Sequence, residues 1–248
     1  MKMKDSEIKR VVKKTYAKVA NSGCSCCGDS SWMPTGSELA ELVGYSHDEL
    51  KDLPKKAVET FAGCGNPVAL SELKTGETVL DIGSGGGLDA FLAAKKVGMT
   101  GRVVGIDFTE EMIRRARRNA KELGLKNVEF RLGDAEDMPV ESSSIDVVIS
   151  NCVINLAPDK DKVFREAYRV LKPGGRMIIS DIVTEGELPD EIRNDPRYWA
   201  ECVAGALKRE EYLNKIRKTG FKPVKVLSKT NFTRNILSIK LKAQKPKD

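Results

Sequence analysis

The chain has 248 residues, of which 40% are hydrophobic and 31% charged, a composition typical of a globular protein with a normal core. No apolar run reaches the roughly 18 residues that a membrane helix needs, and MKMKDSEIKRVVKK lacks the apolar centre of a signal peptide. The net charge of +6 is modest, and the basic run 114–121 has no interleaved aromatic residues, which argues against a nucleic-acid surface. We therefore expect a cytoplasmic protein with reduced cysteines.

The predicted elements fall into two stretches with different patterns. Residues 5–20 have the apolar spacing of an amphipathic helix, and the segment NSGCSCCGDSS that follows is predicted to be a loop. Short helices are predicted at 37–43, 47–51 and 55–61, before a turn at GCGNP. From residue 77 onward strands alternate with helices, in the order TVLDI, LDAFLAAKKV, RVVGID, 110–123, NVEFRL, IDVVIS, 160–171 and, after the turn KPGG, RMIISDI.

This alternation predicts an α/β fold with a doubly wound, Rossmann-like parallel sheet. A helix at 207–219 comes next, and two apolar runs, KPVKVLS and ILSIKLK, are predicted to pair as an antiparallel edge. We expect an N-terminal helical, cysteine-rich segment at 1–68 and a main domain at 69–248, in which residues around 190–206 form a lid.

The segment VLDIGSGGG (79–87) is a predicted strand that runs through glycines into a helix. Glycines permit a sharp turn and a close approach of a cofactor to the backbone, and the helix N-terminus offers unpaired N–H groups. The loop alone is weak evidence, since nicotinamide enzymes use a related one. Asp107 ends the next strand, about 20 residues further on, where a carboxylate can accept hydrogen bonds from both hydroxyls of a ribose.

A third acidic segment, GDAEDMP (133–139), follows the next predicted strand. It supplies Asp134, Ala135 and Glu136, and the two carboxylates suit the amino group of an adenine. For Asp134 the alternative is a helix-cap or turn residue.

The six cysteines fall around these motifs. Cys152 follows the strand IDVVISN, Cys64 lies in GCGNP before the glycine loop, and Cys202 lies in ECVAGAL. In a reducing compartment we expect ligands or redox groups rather than structural disulfides. For Cys152 the alternative is a small buried hydrophobe. A structural zinc site is a second alternative, although the expected second C-x-x-C pair is missing; its ligands would be Cys24, Cys26, Cys27 and Cys64.

The stretch 70–182 resembles the class I S-adenosylmethionine methyltransferases, through DIGSGGG, the acid in GID and the turn LKPGG (171–175). The resemblance implies a seven-stranded sheet with one antiparallel strand. It also implies that Asp81, Gly83 and Gly85 line the methionine end of the cofactor, and we expect Asn151 to join the cofactor site.

The chain has few candidate general bases, and this limits the class of substrate that it can methylate. The single histidine, His47, lies at a predicted helix start in GYSHDEL, where we expect a solvent-facing or capping side chain. An enzyme that methylates oxygen or carbon usually needs a general base near its substrate. Arsenic(III), in contrast, is soft, prefers thiolate ligands and keeps a lone pair that can attack a sulfonium methyl group without loss of a proton.

With these residues in view, nearly the whole chain is similar to the arsenite S-adenosylmethionine methyltransferases. The similar blocks are SCC, GYSHDEL, GCGNP, DIGSGGGLDAFLAA, ISNCVINL and ECVAGAL. The resemblance implies that Cys64, Cys152 and Cys202 bind arsenic(III), and that an N-terminal cysteine forms a transient disulfide with Cys64. Cys27 is the preferred partner, with Cys26 and Cys24 open. Many members carry a further domain after the sheet, which this chain does not show after ILSIKLK.

We therefore expect a detoxifying enzyme that transfers methyl groups from S-adenosylmethionine to arsenite and methylated arsenicals, with a thiol reductant such as thioredoxin or glutathione. The first rival is a small-molecule C- or O-methyltransferase of the quinone-biosynthesis type, which resembles this chain over 77–182. The second rival is a non-catalytic metalloid- or redox-sensing binding protein.

Overall fold

The computed structural model describes residues 3–22, 36–233 and 235–247, and these form a seven-stranded sheet with helices on both faces. The strands are β1 (Thr78–Ile82), β2 (Arg102–Asp107), β3 (Val128–Leu132), β4 (Ile145–Asn151), β5 (Leu171–Thr184), β6 (Val224–Asn231) and β7 (Ile236–Gln244). The longer helices are α1 (Asp5–Ser22), α6 (Leu88–Val97), α7 (Glu110–Glu122), α8 (Lys160–Val170) and α11 (Arg209–Lys218). The shorter helices are α2 (Gly36–Leu42), α3 (His47–Leu50), α4 (Lys55–Glu59), α5 (Pro67–Leu70), α9 (Asp190–Arg193) and α10 (Pro196–Ala200), and a 3-10 turn covers Ile154–Leu156.

The strand order is β3-β2-β1-β4-β5-β7-β6. Strands β1 to β5 are parallel, and β7 runs antiparallel to both of its neighbours, β5 and β6. This confirms the seven-stranded class I sheet with one antiparallel strand, and the pairing of the last two apolar runs. The predicted turn KPGG lies within the bounds of β5, where the pairing with β4 shifts register between Ile145 and Val147.

Strand β1 is the point at which the winding of the sheet reverses. It pairs with β2 on one side and with β4 on the other, so the crossover helices leave in opposite directions. In sheets of this kind the carboxyl ends of the strands open a crevice at the reversal, and ligands bind there. The ends of β1, β2 and β4 are therefore the part of the fold that positions a site.

Alternate residues of the strands supply two cores. In β1, Leu80 and Ile82 pack on the face covered by α8 and α11, whereas Val79 packs on the face covered by α6 and the short helices before β1. The first core includes an edge-to-face pair of Phe164 and Tyr212 with ring centroids 5.4 Å apart, a geometry worth about 0.5–1.5 kcal/mol beyond burial. Two-sided burial explains why the sequence of the central strands is almost continuously apolar.

Helix α1 crosses the carboxyl end of the sheet, where it contacts α7 and α10. Its buried residues Ile8 and Val12 belong to an apolar cluster at that end, and Val19 packs near Met112 of α7. The amphipathic spacing read from the sequence thus buries one face of α1 over the crevice. No helix among the described residues combines the length and apolar composition that crossing a membrane requires.

Candidate active site

The glycine loop joins β1 to α6 at the crevice. Gly83 has a left-handed φ of 71°, and a Cβ at this position would overlap the side chain of Val153. Gly85 also has a positive φ, of 51°, but a Cβ there would meet no atom within 4 Å. Gly83 is therefore required by packing, whereas Gly85 leaves open space over the loop. Both residues line a cavity in the crevice, which we call the cofactor cavity.

Asp107 at the end of β2 supports this loop and faces the same cavity. Its Oδ2 accepts a hydrogen bond from the backbone N–H of Gly85 at 3.0 Å, and its Oδ1 accepts one from Thr109 at 2.8 Å. Burial raises the pKa of Asp107, and these two backbone hydrogen bonds oppose the shift. Each carboxylate oxygen keeps a further lone pair, as the predicted contact with ribose hydroxyls requires.

Two buried polar atoms of the loop have no hydrogen-bond partner among the described residues: Asp81 Oδ2 and Ser84 Oγ. Burial raises the pKa of Asp81 well above its ordinary value, and the charges of Asp89 and Asp107 raise it further. Buried polar atoms normally have partners, so this pair indicates a ligand with hydrogen-bond donors. The ammonium group and ribose hydroxyls of S-adenosylmethionine meet that need, and the cradle of Gly83, Gly85, Asp81 and Asp107 fits it.

The predicted adenine carboxylates have a partner that the sequence did not indicate. Lys9 of α1 places its Nζ 2.6 Å from Asp134 Oδ2 and 2.7 Å from Glu136 Oε2. Ala135 and Asp134 line a small cavity together with Lys9 and Phe108. The 133–139 turn thus lies beside a small cavity, and Lys9 neutralises the two acidic groups there; their contact with an adenine stays a prediction. Because 125 residues separate Lys9 from Asp134, no local pattern could have revealed the contact.

The described cysteines, Cys64, Cys152 and Cys202, converge in one apolar cluster at the carboxyl end of the sheet. They are 5%, 4% and 3% exposed, respectively. Cys152 follows β4 and also lines the cofactor cavity. The thiol of Cys202, which follows α10, donates a hydrogen bond to the carbonyl oxygen of Cys152 at 2.7 Å. The fold therefore brings together the three thiols that the sequence places far apart.

Burial raises the pKa of the Cys152 thiol well above its ordinary value. Hydrogen bonds with the thiols of Cys202 and Cys64 raise it further, so Cys152 stays a neutral thiol near pH 7. A ligand that binds Cys152 must therefore displace its proton rather than meet a ready-made thiolate.

Cys64 is held by its backbone on two sides. Its N–H donates to Asn151 Oδ1 at 2.9 Å, and its carbonyl oxygen accepts from Ser238 Oγ of β7 at 2.8 Å. The Asn151 amide nitrogen donates to Gly65 O, to Tyr45 Oη and to Asp89 Oδ2, at 2.7, 3.0 and 3.1 Å. Asn151 was expected to contact the cofactor; it lines that cavity, but its amide is engaged by protein groups.

A buried polar group lies next to the thiols and was missed from the sequence. Asp181 of β5 is fully buried and accepts hydrogen bonds from Tyr212 Oη at 2.8 Å and from the Ile182 N–H at 2.9 Å. Burial raises the pKa of Asp181 to about 7. Burial also lowers the pKa of Lys160 to about 8, opposed by the charges of Asp181 and Cys202. The Lys160 ammonium donates to Ala157 O at 3.0 Å, near the ring of Trp199.

Two expectations concern residues away from this centre. Cys24, Cys26 and Cys27 lie outside the described residues, so the disulfide partner of Cys64 and the zinc alternative stay predictions. His47 begins α3 with a side chain that is 83% exposed, next to the capping residue Ser46. The solvent-facing reading of the histidine is confirmed.

Comparisons with known proteins agree with this geometry. The family model described as "Methyltransferase domain" matches residues 73–220. The arsenite methyltransferase of Halobacterium salinarum is 43% identical over 92% of this chain and 60% of its own length. The crystal structure of an arsenic(III) S-adenosylmethionine methyltransferase from Chlamydomonas reinhardtii is 34% identical, with a TM-score of 0.67, and covers 86% of this chain and 75% of its own. A demethylmenaquinone methyltransferase of Lactococcus lactis is 41% identical over 42% of this chain and 41% of its own length.

The chain spans less than two thirds of the length of the curated arsenite methyltransferases that it matches. The match nevertheless extends over nearly all of this chain, whereas the similarity to the demethylmenaquinone enzyme covers less than half of it. S-adenosylmethionine is the cofactor of this family and fits the glycine loop. The chain belongs to the methyltransferase domain family and, within it, to the arsenic(III) S-adenosylmethionine methyltransferases.

Proposed function

We propose that this chain transfers methyl groups from S-adenosylmethionine to arsenic(III) bound by Cys64, Cys152 and Cys202. One observation carries the proposal: Cys152 shares one apolar cluster with Cys64 and Cys202 and also lines the cofactor cavity. A substrate bound by sulfur at this point is therefore next to the methyl donor. The cofactor residues remain those expected from the sequence, with Asp81, Gly83, Gly85 and Asp107 at the loop and Asp134, Ala135 and Glu136 at the adenine edge.

The neutral state of the Cys152 thiol determines how the substrate is captured. Arsenite has three hydroxyl groups, and each thiol replaces one of them: an arsenic–sulfur bond forms, and the thiol proton leaves with the hydroxide as water. The exchange needs no separate base, which suits a Cys152 thiol whose pKa is raised. Sulfur is preferred because arsenic(III) is soft. The apolar neighbours Ile8, Leu156 and Leu188 exclude water from the captured substrate.

Methyl transfer then needs orientation rather than proton transfer. Bound S-adenosylmethionine supplies an electrophilic methyl group on a sulfonium sulfur. The arsenic lone pair, which points away from the three sulfurs, forms the carbon–arsenic bond while the sulfonium sulfur keeps the electron pair of the broken bond. The only histidine of the chain is His47, which is exposed on α3 and plays no part. Positioning of this kind is worth several orders of magnitude in rate.

A reductant completes the cycle. Methyl transfer oxidises arsenic from the trivalent to the pentavalent state, and two thiols that join as a disulfide supply the two electrons that restore it. In our proposal Cys64 and Cys27 form that disulfide, with Cys26 or Cys24 as the alternative to Cys27. Thioredoxin or glutathione would then reduce it, which suits the cytoplasm. We also propose 1–68 and 69–248 as the two segments of the enzyme, with the lid around 190–206 carrying Cys202.

The two alternative functions would require different features of the site. A quinone-type C- or O-methyltransferase has no use for three convergent thiols in one apolar cluster. A non-catalytic metalloid sensor would use the thiols but not the cofactor cradle. The intact loop and its two unpartnered polar atoms favour an enzyme over a sensor.

The deciding experiment is transfer of labelled methyl from S-adenosylmethionine, with arsenite, antimonite and a quinone precursor offered side by side. We expect label in methylated arsenic only when a thiol reductant is present. A Cys152→Ser variant is the matched control, because it keeps the cofactor loop. Label in the quinone precursor would favour the first rival, and tight arsenite binding without any transfer would favour the sensor.

A further inference from the structure

Asn151 occupies the junction between the cofactor cavity and the third thiol. Its neighbour in the chain is Cys152, whose N–H donates to Ser180 O of β5 at 2.8 Å, so this end of β4 is fixed to the sheet. From that fixed position the Asn151 side chain reaches Cys64 and Gly65 on a loop that belongs to no strand. One amide thus ties the loop of Cys64 to the strand end that carries Cys152.

The loop approaches so closely that glycine is required on both sides of Cys64. A Cβ at Gly63 would overlap the Asn151 side chain, and a Cβ at Gly65 would overlap Ser180. The loop segment 63–65 is therefore seated against β4 and β5, with Asn151 making its side-chain hydrogen bonds there. The Cys64 carbonyl is held separately, by Ser238 of β7.

The same amide is linked to the cofactor helix. Tyr45, which is 3% exposed, donates its hydroxyl hydrogen to Asp89 Oδ1 at 2.5 Å, and Asn151 donates to both Tyr45 Oη and Asp89 Oδ2. Asp89 belongs to α6 and lines the cofactor cavity. A direct contact of Asn151 with the cofactor would have to compete with these internal partners. Its amide nitrogen already donates to three groups within the fold.

We propose that Asn151 is a positioning residue for Cys64: by tying the 63–65 loop to β4 it completes the three-thiol site that arsenite needs. The inference rests on the proposed function. Methylarsenic(III) has only two exchangeable positions and can be held by Cys152 and Cys202, neither of which depends on the loop. Loss of the Asn151 anchor therefore separates the two substrates, although all three thiols are still present.

The test compares Asn151→Ala with wild type for two substrates and two binding measurements. Loss of hydrogen bonds to the Cys64 loop should lower arsenite methylation and arsenite affinity about tenfold or more. Methylarsenic(III) turnover and the affinity for S-adenosylmethionine should each change by less than about threefold, which is the size of effect that a minor change in packing produces. Alkylation of Cys64 in the protein without substrate should become faster, whereas alkylation of Cys152 should not.

A second variant, Gly63→Ala, keeps Asn151 and places a methyl group between it and the loop, so it should show the same separation of substrates even if Asn151→Ala fails to fold. Ser238→Ala releases the other side of Cys64 without touching the cofactor cavity and should shift the substrate ratio in the same direction.

Equal loss of both activities with weaker S-adenosylmethionine binding in Asn151→Ala would overturn the proposal and assign Asn151 to the cofactor. An unchanged substrate ratio and Cys64 alkylation rate would also overturn it. Should the wild type methylate neither arsenical, the proposed function fails, and the alkylation rates still decide the role of Asn151.

Discussion

The Cys202 thiol donates to the Cys152 carbonyl oxygen across 50 positions of sequence, and both residues have left-handed backbone, with φ of 62° and 61°. Such a conformation is unusual for a residue with a side chain and persists only where the surroundings impose it. It aims both thiols into the same apolar cluster, one from the end of β4 and the other from the lid. The pair is therefore formed before any substrate arrives.

Substitution of either member of this pair should abolish methylation of both arsenite and methylarsenic(III). A serine oxygen is a harder ligand than sulfur and has a far higher pKa, so neither Cys152→Ser nor Cys202→Ser can hold the arsenic. Cys64→Ser should instead lose arsenite methylation and keep much of its activity on methylarsenic(III). Steady-state rates with both substrates check this. Equal loss of both activities in Cys64→Ser, or a wild-type rate in Cys202→Ser, would contradict the division.

Replacement of Asp107 by alanine should weaken S-adenosylmethionine binding by about ten- to a hundredfold. The change removes a charged acceptor from two ribose hydroxyls and leaves the Gly85 N–H without its partner. Calorimetric titration measures the affinity, and a melting curve checks that the loop has not unfolded the protein. Asp137→Ala, an exposed acid on the 133–139 turn, is the matched control. Unchanged affinity in Asp107→Ala would mean that the ribose lies elsewhere.

The purified protein should contain no stoichiometric zinc. Cys64 lies with Cys152 and Cys202 in the apolar cluster, where we propose that it binds arsenic(III) rather than a structural metal. Elemental analysis of protein purified without chelator, followed by circular dichroism after chelation, tests this. One tightly held zinc per chain that disappears in Cys64→Ser would favour the structural zinc site instead.

The stability of the protein should fall between pH 4 and 7, and Asp181→Asn should reduce that fall. The pKa of Asp181 is raised to about 7 by burial, so below that pH the folded state binds a proton that the unfolded state has released above about pH 4. The stabilisation is complete below pH 4 and is lost as the pH rises to 7. Protonated Asp89, whose pKa is raised to about 6, stabilises the folded state in the same way. This stabilisation is lost by about pH 6 and does not change between pH 6 and 7.

Urea unfolding of the wild type and of Asp181→Asn at half-unit steps from pH 4 to 8 measures this difference. The asparagine keeps an acceptor for Tyr212 and cannot ionise, so the two stability curves should converge at low pH and separate above it. Lys160, whose pKa is lowered to about 8, acts only above that value and does not blur the window. Parallel curves would show that Asp181 does not carry the proton.

The sheet could be predicted from the sequence because each strand and the glycine loop has a recognisable pattern within a few residues. Apolar runs of β1, β2 and β4 and the glycine loop each signal their structure within a few residues, and the cysteine segments lie at strand ends or beside them. The contacts that hold the site were not predictable in this way. Lys9 meets Asp134, and Tyr45 meets Asp89, only through the packing of α1 and of the loop before α3.

The structure of the lid (190–206) was also not predictable from local sequence patterns. Helices α9 and α10 have four and five residues, too few for any apolar periodicity to appear. Lys160 at the start of α8 is only 6% exposed because the lid covers it, with Trp199 over its ammonium group. Burial of that kind depends on a segment some 40 residues away in sequence, which no local pattern reports.

The Ser238 hydrogen bond to Cys64 spans 174 positions, and this separation bears on how the chain is made in the cell. The ribosome produces Cys64, Cys152 and Cys202 well before β7, which must then enter between β5 and β6 to close that contact. A nascent chain therefore carries three thiols without the last strand that fixes the first of them.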